Sequence, residues 1–204
     1  MEITPKPHAP LTLPLPLYTS VTIADAIGKD GEKFVIVAGL DQGMVAALKA
    51  RSSDLSDTDL QKTSDYERFG KGSFEDWYAS KERTLFGLIH PATGALAALA
   101  WFGPKPFGRK SMKHLSEEER KEDERAMDSG MWHTVVYRSY PPFRGTGLMK
   151  DFVRFAMETY QGFYPGSKLW EGIFSANAAS IGLATALGFT IVGTEGEETL
   201  MVKE

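Results

Sequence analysis

The chain of 204 residues contains no cysteine. That absence excludes disulfide bridges, a thiolate nucleophile, and zinc or iron–sulfur sites built on cysteine. No apolar run approaches the roughly 18 residues needed to span a membrane, so no membrane partner is expected. The N-terminus, MEITPKPHAPLTLPLPLY, has no charged segment leading into an apolar one and does not read as a signal peptide. A cytoplasmic location is the plain expectation. Charge is close to balanced: 23 Lys and Arg face 27 Asp and Glu, a formal charge of -4. This lacks the basic excess of a general nucleic-acid binder and is too small to identify a substrate. The four histidines, His8, His90, His114 and His133, show no H-E-x-x-H spacing, and no G-x-S-x-G elbow is present. Neither a catalytic metal nor a Ser-His-Asp hydrolase is therefore expected.

What is present suffices for one substantial core. A chain of this length buries roughly 70% of its unfolded surface, and 42% of its residues are hydrophobic. The first segment, 1–20, carries Pro5, Pro7, Pro10, Pro14 and Pro16. Proline cannot donate to a sheet ladder, so this reads as an arm or edge element. Lys33–Leu40 (KFVIVAGL) is the first expected strand. Asp41 is placed to cap a helix with an apolar face at Met44, Val45, Ala47 and Leu48. Short helices are expected within Leu60–Glu67 and around Phe74–Ser80. Thr84–Ile89 and Ala95–Phe102, separated by HPATG, form the clearest hairpin signal.

The stretch at about 103–130 differs in kind. Its centre, Arg109–Arg125, holds six basic and six acidic residues and only Met112 and Leu115 as sizeable apolar ones. It reads as an insertion, either a solvated helix supported by Glu117→Lys121 or a mobile segment; a lid is the functional alternative. Beyond it come a strand at Met131–Ser139, a helix from Leu148 to about Tyr160, a strand at Lys168–Ser175, a helix at Ala176–Leu187 and a hairpin at Phe189–Gly193 and Thr199–Lys203. Alternating strands and helices beside an antiparallel pair point to an α/β (α+β) fold with a mixed central sheet flanked by helices. The expected organisation is a proline-rich arm at 1–20 and one domain at 21–204.

The most informative local feature is Arg144-Gly145-Thr146-Gly147, between a strand and an amphipathic helix. Free N–H groups and the positive end of the dipole suit a helix start to phosphate, and glycine lets a ligand approach the backbone closely. Arg144 adds charge. A glycine turn also serves simply to reverse the chain. Two other phosphate loops do not fit. The third glycine of G-x-G-x-x-G would fall at Lys150. Gly103-Pro-Lys-Pro-Phe-Gly108-Arg109-Lys110-Ser111 is one residue out of P-loop register, and its prolines remove needed amides.

Two blocks together resemble the GNAT superfamily of acyl-CoA-dependent N-acetyltransferases. Arg144-Gly145-Thr146-Gly147-Leu148-Met149 is similar to its [Gln/Arg]-x-x-Gly-x-[Gly/Ala] loop, and Asn177 to Phe189 (NAASIGLATALGF) to its N-x-x-[Ser/Ala]-x-x-L-Y-x-x-L-G-F stretch. The resemblance implies a GNAT-like sheet and acetyl-CoA as cosubstrate, lying where the strands near Met131–Ser139 and Leu169–Ser175 diverge. It places the pyrophosphate on the amides of Arg144, Gly145, Thr146, Gly147, Leu148 and Met149. The pantetheine arm would run along Tyr137, Arg138 and Ser139, with Asn177 and Ser180 nearby. Met149 departs from the Gly or Ala usual at its position. Ala184 stands where the family often has the tyrosine that protonates the departing thiolate.

The implied reaction moves an acetyl group to a primary amine of a small molecule or peptide by direct attack in a ternary complex. It needs an oxyanion donor, for which a backbone N–H near Tyr137 is suited, together with a base and an acid. Glu171, on a strand whose Leu169 and Ile173 share its face, can serve as base or as half of an ion pair. His133 is a second base candidate or a core histidine, and Tyr137 and Tyr140 are acid candidates. Trp77, Tyr78, Trp101 and Trp132 are candidates for lining the acceptor site or for the core. A homodimer is left open. The alternative function is a non-catalytic acyl-CoA-binding or protein-interaction module on the same fold, suggested by Met149 and Ala184.

Overall fold

A computed structural model of the chain describes residues 1–79, 82–109, 116–128 and 131–204. Nine strands are hydrogen-bonded in the order β1-β2-β3-β4-β5-β6-β7-β9-β8. They are β1 (Glu2–Pro5), β2 (Ser20–Ile27), β3 (Lys33–Gly39), β4 (Thr84–His90), β5 (Ala95–Pro104), β6 (Trp132–Ser139), β7 (Lys168–Phe174), β8 (Thr190–Glu195) and β9 (Glu198–Lys203). The helices are α1 (Gln42–Ser53), α2 (Thr58–Gln61), α3 (Phe74–Ala79), α4 (Glu117–Asp128), α5 (Met149–Phe163) and α6 (Ala178–Ala186), with a π-helical turn at Tyr66–Gly70. The expected mixed sheet with flanking helices is the architecture observed. Among the described residues no helix is long and apolar enough to cross a membrane.

The residues group into two compact units: Met1–Trp101 with Tyr137–Phe152, and Phe102–Val136 with Val153–Glu204. In the first, β1 to β4 pair antiparallel in sequence order. The N-terminal segment supplies the edge strand β1, and its Pro5 sits at the strand's last position, where a missing donor costs least. β2 (SVTIADAI) was not anticipated. Its polar Thr22 and Asp25 obscure the alternation, yet Ile23, Ala24 and Ala26 are buried, and Asp25 is paired with Lys6. Asp41 caps α1 as expected, accepting from the Met44 amide at 2.9 Å. The helix expected within Leu60–Glu67 is instead the single turn α2 followed by the π-helical turn. Phe69, Phe74, Leu85, Phe86 and Leu88 are buried in this unit.

In the second unit β6 and β7 run parallel, with pairs from Trp132–Lys168 to Thr134–Trp170. β7 then pairs antiparallel with β9, and β9 with β8. Phe102 stacks on Tyr160 with ring centroids 4.6 Å apart. Each aromatic buried in this way contributes roughly 1.5–3 kcal/mol of transfer free energy. Along the part of α5 in this unit the buried positions Val153, Ala156, Met157 and Tyr160 recur at helical spacing. The charged stretch contains a helix, α4. Ser116 explains its start: Glu119 Oε2 accepts from the Ser116 amide at 2.8 Å, and Ser116 Oγ accepts from the Glu119 amide at 3.3 Å. This reciprocal cap satisfies two orphan donors of a helix with little to bury. The anticipated Glu117–Lys121 pair forms at 2.9 Å. Positions 110–115 and 129–130 of the expected insertion lie outside the described residues.

Candidate functional site

β6 leads through Tyr140 into the glycine loop. The Tyr140 amide donates to the Ala97 carbonyl at 2.9 Å, and the Phe143 amide donates to Tyr140 at 2.9 Å. The Phe143 ring meets Phe34 edge-on at 5.5 Å and stacks against His90 at 5.7 Å, anchoring the loop in the first unit. Thr146 donates its hydroxyl to the Phe143 carbonyl at 2.7 Å. Gly145 and Gly147 have φ of 81° and 80°, and a Cβ at either would meet nothing within 4 Å. The amides of Gly145, Gly147 and Leu148 have no acceptor among the described residues. The loop thus presents open backbone donors at the start of α5, an arrangement suited to phosphate. Met149 is the first residue of α5 and half-buried.

Arg144 is engaged elsewhere. Its Nη1 and Nη2 donate to the two carboxylate oxygens of Asp57 at 2.9 and 2.8 Å, and its Nε and Nη2 reach the Ser139 carbonyl at 3.3 and 3.1 Å. The Arg144 hydrogen bond holds the Asp57 carboxyl below its ordinary range, and Asp57 raises the guanidinium in return. The sequence offered Asp57 no role. The partners lie 87 residues apart, and the only local signal at Asp57 is its cap of α2, accepting from the Leu60 amide.

Tyr137 is buried, and its carbonyl accepts from Arg138 Nη1 at 2.9 Å. The Tyr137 and Ser139 carbonyls, expected along the pantetheine path, therefore already carry arginine donors. Arg138 grips Asp65, with Nε and Nη2 donating to the two carboxylate oxygens at 2.9 and 3.2 Å. Tyr140 is fully buried, and its hydroxyl has no hydrogen-bond partner among the described residues. Burial, reinforced by the charge of Asp65, pushes the phenol well above its ordinary pKa. A hydroxyl in that state keeps its proton at neutral pH and gives it up less readily than an ordinary tyrosine.

The other expected residues lie in the second unit. His133 is buried, with Nδ1 bonded to the Tyr160 hydroxyl and its ring 5.6 Å from both Tyr160 and Tyr164. Packing of this kind fits a satisfied core histidine. Glu171 is 4% exposed on β7, opposite Met201 of β9, a rare degree of burial for a carboxylate. Asn177 is the N-cap of α6, its side-chain oxygen accepting from the Ser180 amide at 3.1 Å, so these two residues are bound to each other. Ala184 is fully buried inside α6. A tyrosine there would displace packed core.

No protein-family model and no curated protein matches the chain. Solved structures do. The GNAT domain of S. lividans PAT is similar at a TM-score of 0.60 and 14% identity, covering 88% of this chain and 94% of that one. A GNAT-family acetyltransferase from Listeria monocytogenes reaches 0.59 at 15% identity, covering 88% and 98%. Spermidine N-acetyltransferase from Vibrio cholerae, solved with CoA and spermine, reaches 0.55 at 13% identity, covering 83% and 92%. Likeness at such low identity speaks for architecture. The chain has the fold of the GNAT-superfamily acetyltransferases.

Proposed function

We propose that the protein is an N-acyltransferase that moves an acetyl group from acetyl-CoA to a primary amine. The observation that carries this reading is the Gly145–Leu148 loop, with open amides and two left-handed glycines at the start of α5. Phosphate bound there would rest on backbone donors, because Arg144 is already paired with Asp57 and Ser139. Acetyl-CoA supplies an activated thioester, and the chain must hold it, orient the amine and handle protons. The β6 backbone near Tyr137 is proposed to hold developing negative charge, and the Tyr140 hydroxyl is the proposed proton donor to the thiolate. Glu171 is the proposed base, buried among apolar neighbours. His133, committed to Tyr160, is proposed to position the core around it. Two of the similar structures, a spermidine N-acetyltransferase solved with spermine and an aminoglycoside acetyltransferase solved with kanamycin, are complexes with amines.

Ala184 favours a second reading, a module that binds acyl-CoA without turnover, because its fully buried methyl group cannot protonate a thiolate. Titration with acetyl-CoA, followed by free-thiol release across a panel of amines, separates the two. Saturable binding with release on at least one amine is the expected result. Absence of acetyl-CoA binding overturns both readings, and binding without release on any amine favours the module.

A further inference from the structure

Three arginines crowd one place in the first unit. Arg68 donates to Asp65 Oδ1 at 3.1 Å, and Arg138 holds the same carboxylate through two bonds. Arg83 donates to the Trp77 carbonyl at 3.1 Å, and no carboxylate pairs with it among the described residues. Two of these cations therefore share a single carboxylate, which is itself fully buried, and the third has none among the described residues. The partners that replace carboxylates are rings. Arg83 lies over Trp77 at 4.2 Å, and Arg68 and Arg138 lie over Trp101 at 5.5 and 5.4 Å. Trp77, Trp101 and Phe69 meet one another edge-on, with centroids 4.8 to 6.0 Å apart. A ring face attracts a cation and fixes it in place, but it does not neutralise the charge.

Proton donors are also in excess. A guanidinium carries five N–H donors. Among the described residues Arg83 and Arg68 each spend one on a hydrogen bond. Most of their donors are thus available, on side chains that are neither sealed nor fully solvated: the Arg68 side chain is 27% exposed and Arg83 is half-buried. Mutual repulsion and burial are visible in their acidities. Arg83 is brought down to about 10 by burial and by the charge of Arg68, and Arg68 is lowered by burial and by Arg138. A protein bears such strain at low cost where an anion relieves it.

The position of the cluster identifies the anion. Arg138 directly follows Tyr137 on β6, and the fully buried Tyr140 hydroxyl feels the charge of Asp65 and Arg138. The coenzyme's phosphates have their own donors in the glycine loop. We infer that the Arg68–Arg83–Arg138 cluster binds the carboxylate of the acceptor, so that the preferred substrate is an amino acid or similar amine bearing an anionic group, its apolar part against Trp77 and Trp101. This rests on the acyltransferase reading. A polyamine would meet two uncompensated positive charges here, and like charges in a partly buried setting repel strongly.

Two measurements test the inference. In the first, thiol release from acetyl-CoA is followed for amines that differ only by a carboxylate, such as phenylalanine and phenethylamine. The amino acid is expected to have at least tenfold higher kcat/KM. Arg83→Gln should remove that advantage by raising KM for the amino acid, while Arg83→Lys keeps part of it. Equal or better use of the simple amine by the unaltered protein overturns the inference.

The second measurement needs no turnover. N-acetylphenylalanine and inorganic phosphate are titrated against the unaltered protein, Arg83→Gln and Arg68→Gln, with near-ultraviolet circular dichroism to confirm that the variants are folded. Saturable binding of the N-acetyl amino acid, weakened tenfold or more in both variants, supports the carboxylate site. No binding, or phosphate binding more tightly, overturns it. Acetyl-CoA titration reads the parent proposal separately. Carboxylate binding through Arg83 without acetyl-CoA binding would leave the site standing and remove the acyltransferase.

Discussion

Two guanidinium-bearing regions of the same unit are handled in opposite ways. Arg144 in the glycine loop is answered in full by the Asp57 carboxylate and the Ser139 carbonyl, with Asp59 3.7 Å away. Its pKa is raised. Arg83 rests on a tryptophan face beside another arginine, with one carbonyl as its acceptor, and its pKa falls. The contrast teaches where each region can receive an anion. The glycine loop has little side-chain charge to offer and would receive an anion through amides. The arginine cluster would receive one through side chains without a full complement of carboxylates. A backbone site suits a ligand of fixed shape, and an excess of side-chain charge suits the part of a substrate that sets selectivity.

The sharpest way to break this comparison is to remove the one carboxylate on which Arg68 and Arg138 depend. Asp65→Ala should destabilise the protein by about 3–5 kcal/mol in chemical denaturation, the usual cost of leaving buried charge without its partner. A loss below about 1 kcal/mol would mean that the arginines turn out to solvent. Tyr140→Phe comes next. It should leave stability unchanged or slightly raised, since the lost hydroxyl has no partner among the described residues, and should reduce turnover by about 100-fold if that hydroxyl is the acid. Unaltered kcat would retire Tyr140 from the mechanism.

Gly147→Ala probes the backbone side of the comparison. A side chain at φ 80° costs about 1 kcal/mol of strain, and acetyl-CoA affinity should fall about tenfold while N-acetylphenylalanine binding is retained. Parallel loss of both ligands would show that the regions do not act separately. Asp57→Asn has the smallest expected effect, about 0.5–1 kcal/mol near neutral pH, because asparagine still caps α2 and only the ion pair is lost. The Asp57 pKa is depressed in the folded state by Arg144. Its contribution is therefore complete above the unfolded carboxylate value of about 3.9 and disappears as pH falls through the lower folded value. Stability profiles of Asp57→Asn and the unaltered protein should converge in acid. Divergence there would assign the effect to the cap.

Periodic and punctuated segments were legible from the residues alone. The HPATG turn between two apolar runs became the β4–β5 pair of strands, and Asp41 before an apolar-faced helix became the α1 cap. β2 was missed because Thr22 and Asp25 break its alternation while β1 and β3 protect its edges through hydrogen bonds no local pattern announces. Glu117→Lys121 was read correctly, but the Ser116–Glu119 cap that nucleates α4 was overlooked, although its spacing was in plain view. In the candidate site the two glycines stood out because positive φ demands them, and Arg144 because of its charge beside them. Asp57 and Asp65 did not, since Arg144 and Arg138 lie 87 and 73 residues away from them, and the local Arg68 three residues after Asp65 does not by itself mark a site.

The sequence by itself determined the order of elements in the second half, the glycine loop before α5 and the absence of thiol chemistry. These follow from local rules: side-chain period, cap residues, positive φ and composition. Tertiary structure alone decided which charges are spent. It assigned Arg144 and Arg138 to buried or half-buried carboxylates and left Arg83 on a tryptophan. A net charge of -4 conceals that cluster of the opposite sign. Electrostatic free energy depends on distance and burial, and chain order carries neither.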